Sequence, residues 1–233
     1  MTIRGILFDK DGTLLDYHAT WMPLNERVAL EAAGGDAARA HALLVAGGLV
    51  PETGRIRSGT VLAAGTNAEI AAFWHPMLGP DAPALADMVA MVNRVFEAGG
   101  AETATAVGDL AGLFARLKGR GLRLGVATSD SERGAHHTLG RFGVIEHLDF
   151  IAGYDSGHGS KPSPGMVEGF LAATGLGARE VMVVGDNPHD LEMGRAAAAG
   201  LVVGVLTGTS AREDLAPHAD RVLDSILEIE SLL

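Results

Sequence analysis

The chain has 233 residues, of which 47% are hydrophobic and 20% charged, with a formal net charge of -11 and no cysteine. This length and composition are typical of a globular protein that can bury a substantial core. The acidic balance argues against nucleic-acid binding, and the lack of cysteine excludes disulfides and thiolate metal sites.

No apolar run is long enough for a signal peptide or for a membrane-spanning helix. We therefore expect a cytoplasmic protein that binds neither nucleic acid nor a membrane. As an assembly, a monomer or a homodimer is expected.

The first predicted element is a buried strand, Ile6-Leu7-Phe8, which ends in the acidic sequence Asp9-Lys10-Asp11-Gly12. Residues 17–104 then show mainly helical spacing, with a Gly- and Thr-containing hairpin or loop between residues 51 and 65. The predicted helices of this segment are Trp21 to Ala33, Asp36 to Ala46, Asn67 to Leu78 and Pro83 to Ala98. We predict a mostly α-helical domain over residues 17–104, inserted after the first strand.

The second half of the chain alternates strands and helices. Short apolar runs predict strands near residues 121–128, 150–153, 180–185 and 201–205. Helical spacing lies between them, over residues 110–118, 131–142, 164–174 and 191–199. This order predicts an α/β core with a doubly wound parallel sheet, formed by residues 1–16 and 105–233.

Polar side chains follow several of these strands at the point where each strand ends. A further lysine precedes the helix at residue 164. The set is Asp9, Asp11, Thr128, Ser129, Asp186, Asp190 and Lys161. In a parallel sheet, ligands bind at the carboxyl ends of the strands, so we expect these residues to converge.

Phosphoryl transfer is the chemistry that such a set favours. A carboxylate nucleophile divides hydrolysis into two steps, and an acid two residues away can donate and then accept a proton. Asp9 and Asp186 offer the few carboxylates that Mg2+ prefers beside phosphate oxygens and waters.

Groups that could hold the remaining phosphoryl oxygens are also present. The hydroxyl of Thr128, the ammonium of Lys161 and the backbone amides around Gly12 are expected to do so. The amide of Ser129 is a further candidate, although Ser129 and Asp130 are more typical of a cap for the next helix.

The same residues resemble the motifs of the haloacid dehalogenase superfamily. Asp9-Lys10-Asp11-Gly12-Thr13-Leu14 is similar to its first motif. Thr128, Lys161-Pro162 and Gly185-Asp186 with Asp190 resemble its second, third and fourth motifs, in the same order. The helical insertion is similar in position to the cap of phosphoglycolate phosphatase and its relatives.

The resemblance implies a role for each matching residue. Asp9 is the implied nucleophile and Asp11 the implied acid and base. Asp9 and Asp186 are implied Mg2+ ligands, together with the main-chain carbonyl of Asp11, and Asp190 supports the metal site. The implied activity is Mg2+-dependent hydrolysis of a small phosphorylated metabolite, such as a phosphoglycolate-like monoester.

Two residues depart from the pattern. Lys10 stands where an apolar, aromatic or acidic side chain is more usual, and strand alternation predicts that it points away from Asp9 as a peripheral residue. Asn187 follows Asp186 where serine or threonine is common. The second acid of the first motif, Asp11, is present, and this argues against carbon–halogen chemistry.

Several alternatives stay open from the sequence. A sugar-phosphate phosphomutase shares all four motifs, and a receiver-like phosphate sensor uses Asp, Thr and Lys on a similar sheet. The two acids after the first strand could also form a solvated turn. In the insertion, Arg55, Arg57 and Ser58 are candidates for a substrate clamp, since arginine suits a carboxylate or second phosphate, but a solvated hairpin explains them equally well.

Overall fold

The computed structural model describes residues 2–80 and 82–233. The chain divides into two compact units. The core unit comprises the residues up to Tyr17 together with Thr105–Leu233, and the inserted unit comprises His18–Ala104. Across the described ranges, none of the helices combines the length and the apolar character that crossing a membrane requires.

A parallel sheet organises the core unit. Within the described residues it has six strands in the order β5-β4-β1-β6-β7-β8, and every neighbouring pair is parallel. The strands are β1 (Gly5–Phe8), β4 (Arg123–Ala127), β5 (Phe150–Ala152), β6 (Val181–Gly185), β7 (Leu201–Val205) and β8 (Arg221–Leu223). The predicted fold class, a doubly wound α/β sheet, is confirmed.

The central strands are apolar along their whole length because helices cover both faces of a parallel sheet. Alternation along β1 places Ile6 and Phe8 in one buried cluster and Leu7 in another. Phe8 stacks on Phe114 with ring centroids 5.4 Å apart, and Leu7 shares its cluster with Phe170. With both faces packed, the polar residues that follow each strand are confined to the sheet edge.

The core helices begin near the residues that the sequence indicates. Their bounds are α6 (Leu110–Gly119), α7 (Glu132–Gly140), α8 (Gly165–Thr174), α9 (Pro188–Ala196) and α10 (Arg212–Leu215). Asp109 caps α6 by accepting the Gly112 N–H, and Ser131, not Ser129 or Asp130, caps α7. Helix α9 begins at Pro188, three residues before the predicted Leu191, because the Asn187 side chain caps it.

The inserted unit is mainly helical. Its first helix is α1 (Tyr17–Ala32), which begins at the last residue of the core unit. The other elements are α2 (Ala37–Gly47), β2 (Leu49–Val50), β3 (Arg55–Ile56), α3 (Val61–Ala64), α4 (Asn67–Trp74) and α5 (Leu85–Thr103). Strands β2 and β3 form a small antiparallel hairpin in the segment predicted to be a hairpin or loop. The Trp74 side chain is fully buried, and its Nε1–H donates to the Leu43 carbonyl at 2.8 Å.

Candidate active site

The loop after β1 brings the first acid of the sequence to the carboxyl edge of the sheet. Asp9 continues the strand by one hydrogen bond, from its N–H to the Val184 carbonyl at 2.8 Å. The chain then turns sharply, since the carbonyl of Lys10 accepts the N–H groups of Leu14 and Leu15. Asp9 is 7% exposed, so its carboxylate lies in the protein interior.

Three carboxylates meet at this edge. Asp9, Asp186 and Asp190 are all buried, and each places one oxygen within 4.8 Å of the others. They come from the ends of β1 and β6 and from the first turn of α9. Neighbouring parallel strands end side by side, and for this reason residues far apart in sequence converge here.

A buried lysine lies among the acids. Lys161 Nζ is 2.5 Å from Asp9 Oδ1 and 2.6 Å from Asp190 Oδ1, and its side chain is 4% exposed. A single ammonium cannot neutralise three buried carboxylates. In the described part of the chain, Asp9 Oδ2 is buried and has no hydrogen-bond partner. This donor set fits a divalent cation such as Mg2+, which prefers carboxylate oxygens.

The electrostatics of the cluster agree with a missing positive charge. Burial raises the pKa of Asp9 to about 6; the charge of Lys161 opposes this rise, and the charge of Asp190 adds to it more weakly. Burial and the charges of Asp9 and Asp190 also raise the pKa of Asp186 well above its usual value. Although burial alone would lower it, the carboxylates of Asp190 and Asp9 raise the pKa of Lys161.

A loop after β7 supports the Asp186 side chain. The Thr209 N–H donates to Asp186 Oδ2 at 3.1 Å, and Thr207 Oγ1 donates to the Gly12 carbonyl at 2.6 Å. Gly12 has φ +88°, and a Cβ there would lie 2.5 Å from Asp186 Oδ2. A Cβ on Gly208 would lie closer still, 1.7 Å from the same oxygen. Glycine is required at both positions because the backbone passes directly over the Asp186 carboxylate.

The groups predicted to contact phosphate differ in their burial and in their hydrogen-bond partners. Thr128 is 1% exposed, and its Oγ1 accepts the Asp130 N–H at 3.1 Å, which leaves the hydroxyl hydrogen to donate elsewhere. Ser129 is exposed beside it. The Gly12 amide, expected to face phosphate, instead donates to the Leu15 carbonyl at 2.8 Å. The tight turn that follows Asp9 uses this N–H for its own closure.

The predicted metal ligand Asp11 does not join the carboxylate cluster through its side chain. Its carboxylate is 22% exposed and pairs with Lys10 at 2.8 Å. Burial raises the pKa of Asp11, partly offset by Lys10 and reinforced by Asp9. Because the Asp11 carboxylate lies outside the cluster, it suits a proton-transfer role. The main-chain carbonyl of Asp11 remains the group predicted to bind a metal.

The expectation that Lys10 is peripheral was wrong. Lys10 is 1% exposed, and its Nζ lies 2.8 Å from Asp11 Oδ2 and 3.2 Å from Asp130 Oδ2. Strand β1 ends at Phe8, so the alternation used to orient residue 10 does not extend that far. The turn rotates the lysine into a buried site between two loops.

The candidate clamp residue Arg57 belongs to the inserted unit. Its side chain is exposed, and its N–H donates to the Gly48 carbonyl at 2.9 Å. Arg57 follows β3 in the small hairpin. Its role in substrate binding stays a prediction.

Sequence reasoning missed the loop of Thr207, Gly208 and Thr209. A usable signal was present, because this loop follows the apolar run Leu201–Val205 and so lies at the same sheet edge as the other site residues. The pairing of Lys10 with Asp130 had no comparable signal, since 120 positions separate the two residues.

A parallel sheet with buried acids and a lysine at its carboxyl edge places the protein in the α/β class of ligand-binding folds. The model of the haloacid dehalogenase-like hydrolases matches residues 3–198, and the chain therefore belongs to this family.

Phosphatases are among the relatives with named activities. The N-acetylmuramic acid 6-phosphate phosphatase of Pseudomonas aeruginosa is 26% identical, over 100% of this chain and 96% of the relative. The phosphoglycolate phosphatase of Yersinia pseudotuberculosis is 28% identical, over 95% and 89% respectively. That of Rhodospirillum rubrum is 34% identical over 91 residues, 39% of this chain and only 38% of the relative.

Among solved structures, a Thermotoga maritima protein provisionally assigned as a β-phosphoglucomutase superposes with a TM-score of 0.75. It is 19% identical and covers 99% of this chain and 98% of its own, which shows a shared fold. Family and relatives together confirm the predicted class, a phosphatase of the haloacid dehalogenase family.

Proposed function

We propose that the protein is a Mg2+-dependent phosphatase that hydrolyses a small phosphate monoester through an aspartyl phosphate on Asp9. The observation that supports this most directly is the buried group of Asp9, Asp186, Asp190 and Lys161 at the sheet edge. Such a group combines a carboxylate nucleophile with the donors for a cation and with a positive charge for phosphate.

The proposed metal site uses Asp9 and Asp186 as carboxylate ligands, the carbonyl of Asp11 as a further ligand, and Asp190 as support. When bound there, Mg2+ supplies positive charge that offsets the charge of the phosphoryl oxygens. The deficit of positive charge in the buried cluster, with the unpaired Asp9 Oδ2, supports this assignment.

In the first proposed step, a carboxylate oxygen of Asp9 attacks phosphorus while the bond to the ester oxygen breaks. Asp11 donates a proton to the departing alcohol. In the second step, water attacks the phosphorus of the aspartyl phosphate and Asp11 accepts the proton that the water loses. The bond to Asp9 breaks and inorganic phosphate leaves, so that the carboxylate is regenerated.

Three groups are proposed to hold the phosphoryl oxygens. The Lys161 ammonium contributes full charge, and the Thr128 hydroxyl and Ser129 amide contribute hydrogen bonds from the end of β4. Because Lys161 already contacts Asp9, its charge lies where negative charge accumulates during transfer. The Gly12 amide is not part of this set, since it closes the turn.

The inserted unit is proposed to be a cap domain that selects the ester. The names of the relatives specify phosphoglycolate and N-acetylmuramic acid 6-phosphate, both phosphate esters of acids. A substrate with a carboxylate would suit Arg57, because guanidinium binds carboxylate through two parallel hydrogen bonds. An Arg57→Met variant should raise KM for such esters, whereas Arg39→Met, at an exposed position of α2, serves as the control.

The test of the proposed function measures phosphate release from a panel of esters, with Mg2+ and with chelator. The panel includes phosphoglycolate, N-acetylmuramic acid 6-phosphate, hexose phosphates, nucleotides and p-nitrophenyl phosphate. Metal-dependent release that is lost in Asp9→Asn is the expected result. Release that survives in Asp9→Asn would contradict the nucleophile, and isomerised hexose phosphate without release would indicate a mutase.

A further inference from the structure

Lys10 and its two carboxylate partners form a buried ion-pair group that the proposed chemistry does not yet use. Lys10 Nζ lies between Asp11 Oδ2 and Asp130 Oδ2, at 2.8 and 3.2 Å. The lysine is 1% exposed, whereas the side chains of Asp11 and Asp130 are 22% and 34% exposed. Burying an ammonium is costly unless it is paired, and these two carboxylates offset that cost.

Asp130 is the fixed end of this group. Its N–H donates to Thr128 Oγ1, its Oδ1 accepts the Ser131 N–H at 2.7 Å, and its carbonyl accepts the Tyr154 N–H at 3.0 Å. These bonds anchor Asp130 at the start of α7 and beside β5. A lysine paired with Asp130 therefore has a defined position.

Asp11 is the end that needs positioning. It lies in the turn after β1 and is the most exposed of the proposed catalytic carboxylates, at 22%, and a partly exposed aspartate can rotate about its side-chain bonds. Proton transfer requires the carboxylate within hydrogen-bond reach of the atom that gains or loses the proton. A misplacement of about 1 Å can cost on the order of a hundredfold in rate.

We propose that Lys10 is a positioning residue, which holds the Asp11 carboxylate in the orientation for proton transfer by tying it to Asp130. This inference rests on the proposed function. The proton moves between Asp11 and the substrate oxygen or the water, and Lys10 keeps its own protons throughout. The effect of Lys10 is expected to be largest in the second step, where the ionised carboxylate of Asp11 activates water.

The test uses p-nitrophenyl phosphate, whose leaving group departs without a proton from Asp11. Loss of Asp11 positioning should therefore spare formation of the aspartyl phosphate and slow its hydrolysis. In Lys10→Met we expect a rapid burst of nitrophenol near one per active site, followed by a steady-state kcat reduced about tenfold or more. KM should change little or fall.

A second variant keeps the test independent of how well Lys10→Met folds. Asp130→Asn leaves the lysine in place but weakens its anchor, and should give the same burst with slowed turnover. The double variant should be no slower than the worse single variant, because both changes break one group. Lys118→Met is the matched control, since Lys118 pairs with Asp149, away from the catalytic loops, and its turnover should equal wild type.

Three outcomes would overturn the inference. Burst and steady-state rates that fall together, unchanged kinetics in both single variants, or additive losses in the double variant would each show that Lys10 does not act through Asp11 and Asp130. A wild-type protein that releases no nitrophenol, or an Asp9→Asn variant that still does, would instead remove the proposed function and this inference with it.

Discussion

Replacing Asp186 by asparagine should stabilise the metal-free protein while abolishing the proposed activity. Asp186 is 4% exposed and lies in a cluster of three buried acids that Lys161 alone cannot neutralise. Asparagine has nearly the same shape, and its side-chain oxygen can still accept the Thr209 N–H. The substitution therefore removes one buried charge with little change in packing.

The size of the effect follows from the pKa values of the cluster. Burial and neighbouring charge raise the pKa of Asp9 from 3.8 to about 6. At about 1.4 kcal/mol for each pKa unit, ionising such a group in the folded state costs about 3 kcal/mol. The pKa of Asp186 is raised for the same reasons. We expect Asp186→Asn to raise the free energy of unfolding at neutral pH in chelator, by about 1–4 kcal/mol, the range found when buried ionic groups are replaced by neutral residues.

The gain should depend on pH in a defined direction. A carboxyl group whose pKa is raised in the folded state does not oppose folding below pH 3.8, because it is protonated in both states. As the pH rises through about 6, such a group ionises in the folded protein and the free energy of unfolding falls. Carboxyl groups with lowered pKa, such as Asp149, weaken the fold only as the pH falls below 3.8. The advantage of Asp186→Asn over wild type should therefore grow between pH 5 and pH 7.

The assay is urea denaturation followed by far-UV circular dichroism, at both pH values, in chelator and in Mg2+. Magnesium should stabilise wild type more than the variant, because a ligand that binds only the folded state adds about 2.7 kcal/mol at a hundred times its Kd. A variant that is less stable than wild type in chelator would refute the reasoning, as would an equal response of both proteins to Mg2+.

Three further predictions concern single side chains. Gly208→Ala should lower the affinity for Mg2+ about tenfold or more, measured by the metal dependence of phosphate release, because a Cβ would enter the space of Asp186; unchanged metal dependence would contradict this contact. Lys161→Met should abolish phosphate release and destabilise the metal-free protein by about 3–5 kcal/mol, since it leaves buried carboxylates unpaired; a stable, active variant would exclude its proposed role. Trp74→Phe should cost about 0.5–1.5 kcal/mol of unfolding free energy by removing the hydrogen bond to the Leu43 carbonyl, whereas wild-type stability would show that the bond contributes little.

Much of the fold follows from local pattern. The apolar runs around Leu7 and Val183 predict strands because both of their faces are buried, and the alternation of strands with helices predicts a parallel sheet. Helix starts such as the one at Asp109 are recognisable because the cap forms within four residues. The short strand β8 (Arg221–Leu223) was not predicted, because three residues at a sheet edge give too little periodicity.

The sequence by itself determined which residues end the strands of this protein, and parallel topology then implied that Asp9, Asp186 and Lys161 belong together. Only the tertiary structure decided which partners the backbone amides and side chains of the turn after β1 contact. That turn uses the Gly12 amide for its own closure and rotates Lys10 inward to Asp130. Strand alternation could not foresee this, because regular side-chain direction ends with the strand and a buried charge is placed by partners distant in sequence.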